Sequence, residues 1–216
     1  MKPGQNSEPH PGGLGDLNDH LEEPGLTARD ADTIKKFEKY LALLLKWNAR
    51  MNLTAIRDPK EINRRHFVES ITCAQALPIG ITTLLDFGSG AGFPGIPIAL
   101  CRPEISVTLA ESQSKKAAFL QEVVRTLGLS ARVFSGRAES LREQFDCVTL
   151  RAVDRMGDAV AAASELVRIG GCVAVFTTLA DRAGFESSHF DWPAARIIPI
   201  ADSDQRVVVM ASKIKA

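Results

Sequence analysis

The sequence shows no excess charge of either sign and few cysteines. Its 26 basic and 26 acidic side chains cancel, so any nucleic-acid surface must be a local basic patch. The four cysteines form no C-x-x-C pair and have no nearby histidine, so we expect buried free thiols and no metal site. The chain also lacks a signal peptide and any apolar run of about 18 residues, which leads us to expect a soluble, cytoplasmic protein without membrane contact.

The first 26 residues are rich in proline and glycine and have hardly any large apolar side chains. Such a segment cannot bury enough surface to offset its ordering entropy, so we expect a disordered tail over residues 1–26. Hydrophobic residues make up 45% of the 216, enough for one sizeable domain with a small extension. We expect a helical extension over residues 27–80 and the main domain over residues 81–216.

Two helices are expected in the extension. Apolar residues recur at helical spacing from a capping-box-like start at Thr27 and Asp30 to about Ala49, which predicts a helix of about five turns. The second helix is expected to begin at Asp58-Pro59, an N-cap followed by proline at the first helical position, and to end near Ala76.

From residue 82 onward, short apolar runs alternate with helical patterns, as in repeated β–α units. This α/β pattern predicts a seven-stranded, mostly parallel sheet with helices on both faces, whose last two strands form a hairpin and give one antiparallel member. The strands are expected at Thr82–Asp86, Ser106–Glu111, Ala131–Ser135, Phe145–Arg151, Cys172–Phe176, Arg196–Ile200 and Gln205–Ser212. The helices between them are expected at Pro94–Cys101, Ser114–Leu127, Ala138–Gln144 and Met156–Val167.

The connection after the first strand is the most informative stretch. Asp86 ends the strand, and Gly88, Gly90 and Gly92 follow at alternate positions. Alternate glycines allow positive φ and let a ligand press against the main chain, although a tight turn without a ligand would use them too. Phe93 stands where the dinucleotide fingerprint has its third glycine. The pattern Asp-x-Gly-x-Gly-x-Gly instead resembles motif I of class I S-adenosylmethionine (AdoMet) methyltransferases, in which the acid helps to orient the methionine moiety.

Three further strand ends should meet this loop, because ligands bind beyond the carboxyl ends of parallel strands. Glu111 ends the second strand, where it either accepts ribose hydroxyls or serves as an acid near a helix start. After the third strand, the Ala138–Glu139 pair either contacts an adenine edge or begins a helix. Arg151 ends the fourth strand over the expected methyl-donor pocket, and its charge favours a carboxylate or the acceptor as its partner, not a sulfonium.

Several blocks in the same order resemble one family. The family is the RsmG (GidB) 16S rRNA guanine-N7 methyltransferases, and the resemblance covers about Leu41 to Gly171. The blocks are Trp47–Ile56, Arg65–Ser70, Asp86–Gly95, Gly136–Glu139 and Leu150–Val153.

This resemblance implies a Rossmann-like class I methyltransferase fold. It also implies methyl transfer from AdoMet, with S-adenosylhomocysteine as product, to N7 of a guanine in the decoding-region loop of 16S rRNA. The expected partner is the small ribosomal subunit, and the enzyme is expected to be a monomer. The motif, the strand ends and the family pattern together predict nine cofactor contacts. They are Asp86, Gly88, Gly90, Gly92, Phe93, Glu111, Ala138, Glu139 and Arg151.

The acceptor side is less determined by the sequence. Guanine N7 carries a lone pair and no proton, so the reaction needs positioning and desolvation but no general base. Positioning candidates are Asn48, Asn52, His66 and Arg151, although the first three are equally suited to cap helices and tie the extension to the sheet. A basic cluster is expected to contact RNA phosphates, although such a cluster can also be a solvated face. It comprises Arg50, Arg57, Lys60, Arg64 and Arg65. Because the net charge is zero, we expect an assembled or partly assembled subunit to be a better substrate than naked RNA.

Two positions depart from the family pattern. Glu69-Ser70 stands where Asp-Ser is usual, and Thr177-Thr178-Leu179 stands where Leu-Lys-Gly is common, so one lysine contact is missing. Other functions for the same fold are a nucleotide-dependent oxidoreductase, an AdoMet-dependent methyltransferase acting on protein or a small molecule, and a non-catalytic AdoMet-binding module. NAD(P)H binding would indicate the first, and single-turnover methyl transfer would exclude the last.

Overall fold

A computed structural model describes Leu17 and residues 31–181, 189–201 and 203–214. Almost all of the tail expected over residues 1–26, and the expected helix start at Thr27 and Asp30, lie outside these residues. Leu17 itself is fully buried in the apolar core. No helix in the described ranges is long and apolar enough to cross a membrane.

The central sheet has seven strands, as predicted. The strands are β1 Thr83–Phe87, β2 Ser106–Glu111, β3 Arg132–Ser135, β4 Phe145–Leu150, β5 Val167–Thr178, β6 Arg196–Pro199 and β7 Arg206–Ser212. They lie in the order β3-β2-β1-β4-β5-β7-β6. Strands β1 to β5 are parallel, and β7 is antiparallel to both of its neighbours. The strand order reverses beside β1, which places a crevice beyond the carboxyl ends of β1 and β4.

The helices differ from the predicted ones in two places. They are α1 Ala31–Asn48, α2 Pro59–Ile62, α3 Glu69–Ala76, α4 Gly95–Cys101, α5 Ser114–Leu127 and α6 Met156–Leu166. The helix predicted from Asp58 to Ala76 contains a π-helical segment, Asn63–Val68. The helix predicted over Ala138–Gln144 is wrong, because only Ala138–Ser140 forms a 3₁₀ turn. The chain is extended from Leu141, whose side chain is buried, and leads directly into β4.

Alternation along the buried strands divides the core between the two faces of the sheet. Leu84 packs in the cluster with α1, the π-helical segment and α3 to α5, whereas Leu85 packs in the cluster with α6. Tyr40 and Phe67 belong to the first cluster, so the helical extension packs directly onto the helices that cover the sheet. The four cysteines are buried and free, as predicted.

Candidate active site

The glycine loop after β1 adopts the conformation that its sequence predicts. Gly88, Gly90 and Gly92 have φ values of +72°, +57° and +96°, in the left-handed region that glycine enters without steric cost. Gly92 N donates to Ser89 O at 2.7 Å, and Ser89 N donates to Ala110 O of β2 at 2.9 Å. These bonds fix the loop against the neighbouring strand end.

The glycines of this loop do two different jobs. A Cβ on Gly92 would lie 2.7 Å from the Tyr40 hydroxyl and from Ile96, and one on Gly95 would lie 2.3 Å from Leu109. These two positions therefore allow close packing behind the loop. A Cβ on Gly90 would meet nothing nearer than Gly88 O at 3.8 Å. Gly90 thus keeps the front of the loop open.

Two carboxylates hold the loop. Asp86 is buried, and its oxygens accept from Gly95 N at 3.1 Å and from Thr149 Oγ1 at 2.9 Å. Burial raises the pKa of Asp86 to about 6, against the opposing effect of these hydrogen bonds. Glu111 accepts from Gly90 N at 2.9 Å and from Gln113 N at 2.7 Å. Two of the three predicted cofactor acids, Asp86 and Glu111, are thus engaged with the main chain around the loop.

A cavity of about 430 Å³ opens where the carboxyl ends of β1 to β4 converge. Of the predicted cofactor residues, Gly88, Ala138 and Glu139 line it. The remaining predicted cofactor residues do not. The other lining residues are Phe87, Ala110, Ser112, Gly136, Arg137, Val153, Asp154, Arg155, Asp158 and Ala159.

The loop after β4 is the part of this cavity that the sequence analysis missed. Val153, Asp154 and Arg155 line the cavity, and a Cβ on Gly88 would lie 3.7 Å from Val153. Ala152 and Arg155 have φ values of +49° and +52°, which side chains other than glycine rarely adopt. Such strain collects at functional sites. The sequence signals for this loop are its position after a central parallel strand and the block Leu150–Val153 of the family resemblance, which did not extend to Asp154 and Arg155.

Phe93 and Arg151 lie in a second group of side chains, between β4, β5 and the π-helical segment. The Phe93 ring stacks on His66 with centroids 4.6 Å apart. The Arg151 guanidinium lies 5.7 Å from the Phe93 ring centroid and 5.4 Å from that of Phe176. The structure therefore places these two predicted cofactor residues beside the candidate acceptor groups.

Arg151 has a carboxylate partner, as its charge predicts. Its Nη2 donates to Glu69 Oε2 at 2.8 Å and to the Arg65 carbonyl oxygen at 2.5 Å, and it lies 3.0 Å from His66 Nδ1. Burial lowers the pKa of Arg151 to about 10, so the side chain stays charged at neutral pH. Glu69, the residue that departs from the family's usual aspartate, is the carboxylate at the centre of this group.

His66 is held as a neutral imidazole. Its Nδ1 lies 3.0 Å from Arg151 Nη2, and its Nε2 lies 2.8 Å from Thr54 Oγ1. Burial, assisted by the Arg151 charge, lowers the pKa of His66 to about 3. His66 is thus unsuited to act as a base that gains a proton near neutral pH.

The asparagines differ in accessibility. Asn48 is buried, and its side-chain oxygen accepts from Leu53 N and Thr54 N while its amide donates to Thr54 O. These bonds close the loop after α1 and favour the structural interpretation of this residue. Asn52 is exposed and accepts from Arg57 at 3.2 Å.

The five predicted RNA-contacting residues differ in exposure and in their partners. Arg50, Arg57 and Lys60 are exposed. Arg64 is half-buried and pairs with Glu61 at 2.9 Å. Arg65 turns toward Glu69, with 3.6 Å between Nε and Oε1. The sequence also did not indicate Arg206, which forms an ion pair with Glu69 from the start of β7.

The strand order, the glycine loop after β1 and the cavity at the strand ends define a class I methyltransferase fold. Two solved structures share it at low sequence identity. The predicted O-methyltransferase Atu636 of Agrobacterium tumefaciens aligns with a TM-score of 0.57 and 20% identity, over 67% of this chain and 80% of that chain. TYW2 of M. jannaschii, solved in complex with AdoMet, aligns with a TM-score of 0.55 and 15% identity, over 68% of this chain and 75% of that chain.

The chain belongs to the GidB family, described as rRNA small subunit methyltransferase G, whose model matches residues 33–194. Ribosomal RNA small subunit methyltransferase G of Xanthomonas campestris (strain B100) is 39% identical over 181 residues, which cover 82% of this chain and 84% of the relative. The protein of the same name from Roseiflexus castenholzii is 46% identical over 149 residues, covering 66% and 64%. The predicted family is thereby confirmed.

Proposed function

We propose that this protein transfers a methyl group from AdoMet to N7 of a guanine in the decoding-region loop of small-subunit rRNA. The observation that carries the proposal is the open glycine loop with its cavity of about 430 Å³, in a chain of the rRNA small subunit methyltransferase G family. The volume falls within the range of about 300–1,000 Å³ that is usual for cofactor sites.

The residues at the strand ends fit such a cofactor. The front of the loop at Gly90 has room for a ligand to approach the main chain. In our proposal, Ala138 and Glu139 contact the adenine, and Glu111 contacts the ribose. The loop glycines lie against the rest of the cofactor. Asp86 acts from behind the loop, where it fixes Gly95 N–H. Phe93 and Arg151 lie at the methyl end, next to the acceptor.

When bound, AdoMet supplies an electrophilic methyl group on a sulfonium sulfur. The residues of this chain need only orient the guanine and exclude water, because N7 offers its in-plane lone pair without losing a proton. The neutral His66 agrees with this requirement, since the reaction assigns no proton to it. Stacking on Phe93 and contact with Arg151 hold its ring in place. His66 is therefore proposed as a positioning residue.

We further propose that the enzyme acts in the cytoplasm as a monomer, on an assembled or partly assembled small subunit. The zero net charge supports this substrate, because a folded particle adds shape recognition to the local contacts of Arg50, Arg57 and Lys60. Equal methylation of short naked RNA and of subunits would contradict this part.

The class of acceptor is tested with methyl-labelled AdoMet. Small subunits from cells lacking the endogenous enzyme, protein-free 16S rRNA and a total protein extract are offered as separate acceptors. Label in the rRNA of the subunits is the expected result. Label confined to the protein extract would contradict the proposed function but not the fold or the cofactor site.

A further inference from the structure

Three arginines from distant parts of the chain converge on one buried carboxylate. Arg65 comes from the π-helical segment, Arg151 from the end of β4 and Arg206 from the start of β7. Glu69 Oε2 bonds Arg151 at 2.8 Å, and Oε1 lies 3.6 Å from Arg65 Nε and in contact with Arg206. We call these four residues the arginine cluster.

The cluster holds more positive charge than Glu69 can balance. Three guanidinium groups face one carboxylate, and His66 beside them is neutral. Asp86 and Glu61 attract Arg151 and Arg206 at longer range, but Arg64, which is paired with Glu61, adds a fourth cation near Arg206, so positive charge still exceeds negative charge. Charge held in a partly buried site without a counter-charge is costly unless an anion completes it.

The two kinds of charge are also unequally accessible. The side chain of Glu69 is only 4% exposed, whereas those of Arg206 and Arg65 are 22% and 40% exposed. Solvent therefore reaches the cations and not the anion. Ser203 Oγ accepts from Arg206 Nε at 3.2 Å, which fixes the direction of that guanidinium.

The cluster lies apart from the cofactor cavity, because none of its four residues lines that cavity. It lies beside the Phe93 and Phe176 rings, which the Arg151 guanidinium touches. The pairing of β5 with β7 sets Arg206 directly opposite Thr178, at the strand end where the family's lysine is missing. In the function proposed above, this edge of the sheet is the acceptor side.

We propose that the arginine cluster binds a backbone phosphate of the rRNA next to the target guanine. Several guanidinium groups suit a phosphate, whose oxygens accept paired, charge-assisted hydrogen bonds. Glu69 serves as a positioning residue that draws the three arginines together without meeting the RNA itself. This inference rests on the proposed function for the identity of the RNA.

The experiment measures equilibrium binding of the full chain to small subunits across a range of salt concentrations. Methyl transfer from AdoMet to the subunits is measured in parallel. Arg206→Gln is compared with Arg206→Lys and with the control Arg125→Gln. Arg125 is exposed in the last turn of α5, which packs on β2 and β3 at the opposite edge of the sheet. The control substitution therefore removes one surface charge remote from the cluster. Thermal melting verifies that each variant is folded, and Arg65→Gln replaces Arg206→Gln if the latter is not.

We expect Arg206→Gln to weaken subunit binding about tenfold and to reduce the salt slope of log K by about 0.7 to 0.9. Arg206→Lys should restore the slope. Arg125→Gln should leave subunit binding unchanged, and the Kd for AdoMet should be unchanged. Weaker AdoMet binding with unchanged subunit binding would overturn the proposal, because the cluster would then bind the carboxylate of the cofactor. No change in either would reduce the cluster to a structural ion pair. A slope difference without methyl transfer by the wild type would contradict the proposed function alone.

Discussion

The Tyr40 hydroxyl donates a hydrogen bond of 2.6 Å to the carbonyl oxygen of Ala91, 51 positions further along the chain. Tyr40 lies on α1, and Ala91 lies between two glycines of the cofactor loop. Burial raises the pKa of Tyr40 well above its usual value, so the hydroxyl keeps its proton and remains a donor. The helical extension thus supports the back of the loop directly.

Removal of this hydroxyl should loosen the loop. Tyr40→Phe leaves the buried Ala91 carbonyl without its donor, which should lower the free energy of unfolding by about 1–3 kcal/mol. The Kd for AdoMet should rise as well, because the loop loses its support. Thr72→Val, which removes a hydroxyl that donates to Val68 O in a helix away from the loop, is the matched control. If both variants bind AdoMet equally well, the support has no role in binding.

The open front of the loop predicts the effect of Gly90→Asp. The new Cβ would meet no atom nearer than 3.8 Å, and aspartate tolerates the left-handed region at a cost of about 1–2 kcal/mol, so the protein should fold. Its carboxylate would occupy the cofactor's side of the loop, close to Glu111. Calorimetry should then detect no AdoMet binding, whereas unchanged affinity would show that the site is misplaced.

Gly92→Ala is the control for Gly90→Asp, because it adds a side chain behind the loop and not in front of it. Its Cβ would lie 2.7 Å from the Tyr40 hydroxyl, and its φ is +96°, so the fold itself should lose about 2 kcal/mol or more.

Glu69 is expected to be the most costly ion-pair residue to neutralise. Glu69→Gln would leave Arg151 and Arg206 without their buried carboxylate, which should lower the free energy of unfolding by about 3–5 kcal/mol. Glu61→Gln is the control, because its pair with Arg64 is exposed to solvent and should contribute little to the free energy of unfolding. Urea denaturation of the two variants measures the contrast. Equal losses would mean that the buried cluster does not stabilise the fold.

His66 predicts a pH dependence of stability. Its pKa is about 3 in the folded protein and about 6.5 in an unfolded chain, so below pH 6.5 the unfolded chain binds a proton that the folded protein does not. The free energy of unfolding should therefore fall as the pH drops from about 6.5 toward 3, by up to about 1.4 kcal/mol per pH unit from this group. Asp86, with its raised pKa of about 6, acts in the opposite direction.

The His66→Gln variant isolates this contribution. Subtraction of its stability curve from that of the wild type leaves the part due to His66, with Asp86 common to both. Parallel curves between pH 4 and 6.5 would contradict a neutral, buried imidazole.

Much of the fold was predictable, because local patterns determine it. Short apolar runs that alternate with helical patterns predicted the seven strands, and the glycine spacing predicted a loop with positive φ values at three positions. The charge of Arg151 correctly predicted a carboxylate partner.

The parts that were not predicted depend on long-range contacts. Glu69, at the start of α3, meets Arg206, at the start of β7, only in the folded chain. The positive φ of Ala152 has no counterpart in residue type. The helix predicted after Ala138 failed because the burial of Leu141 requires an extended chain into β4.

The central claim is methyl transfer to one guanine N7 of the small subunit. It is tested most directly by incubation of subunits that lack the modification with AdoMet and the protein, followed by chemical cleavage at 7-methylguanine and mapping of the break. Our account predicts a single break, at one guanine of the decoding-region loop, that is absent with Gly90→Asp. Methylation at another atom or another RNA region, or no break despite AdoMet binding, would contradict it.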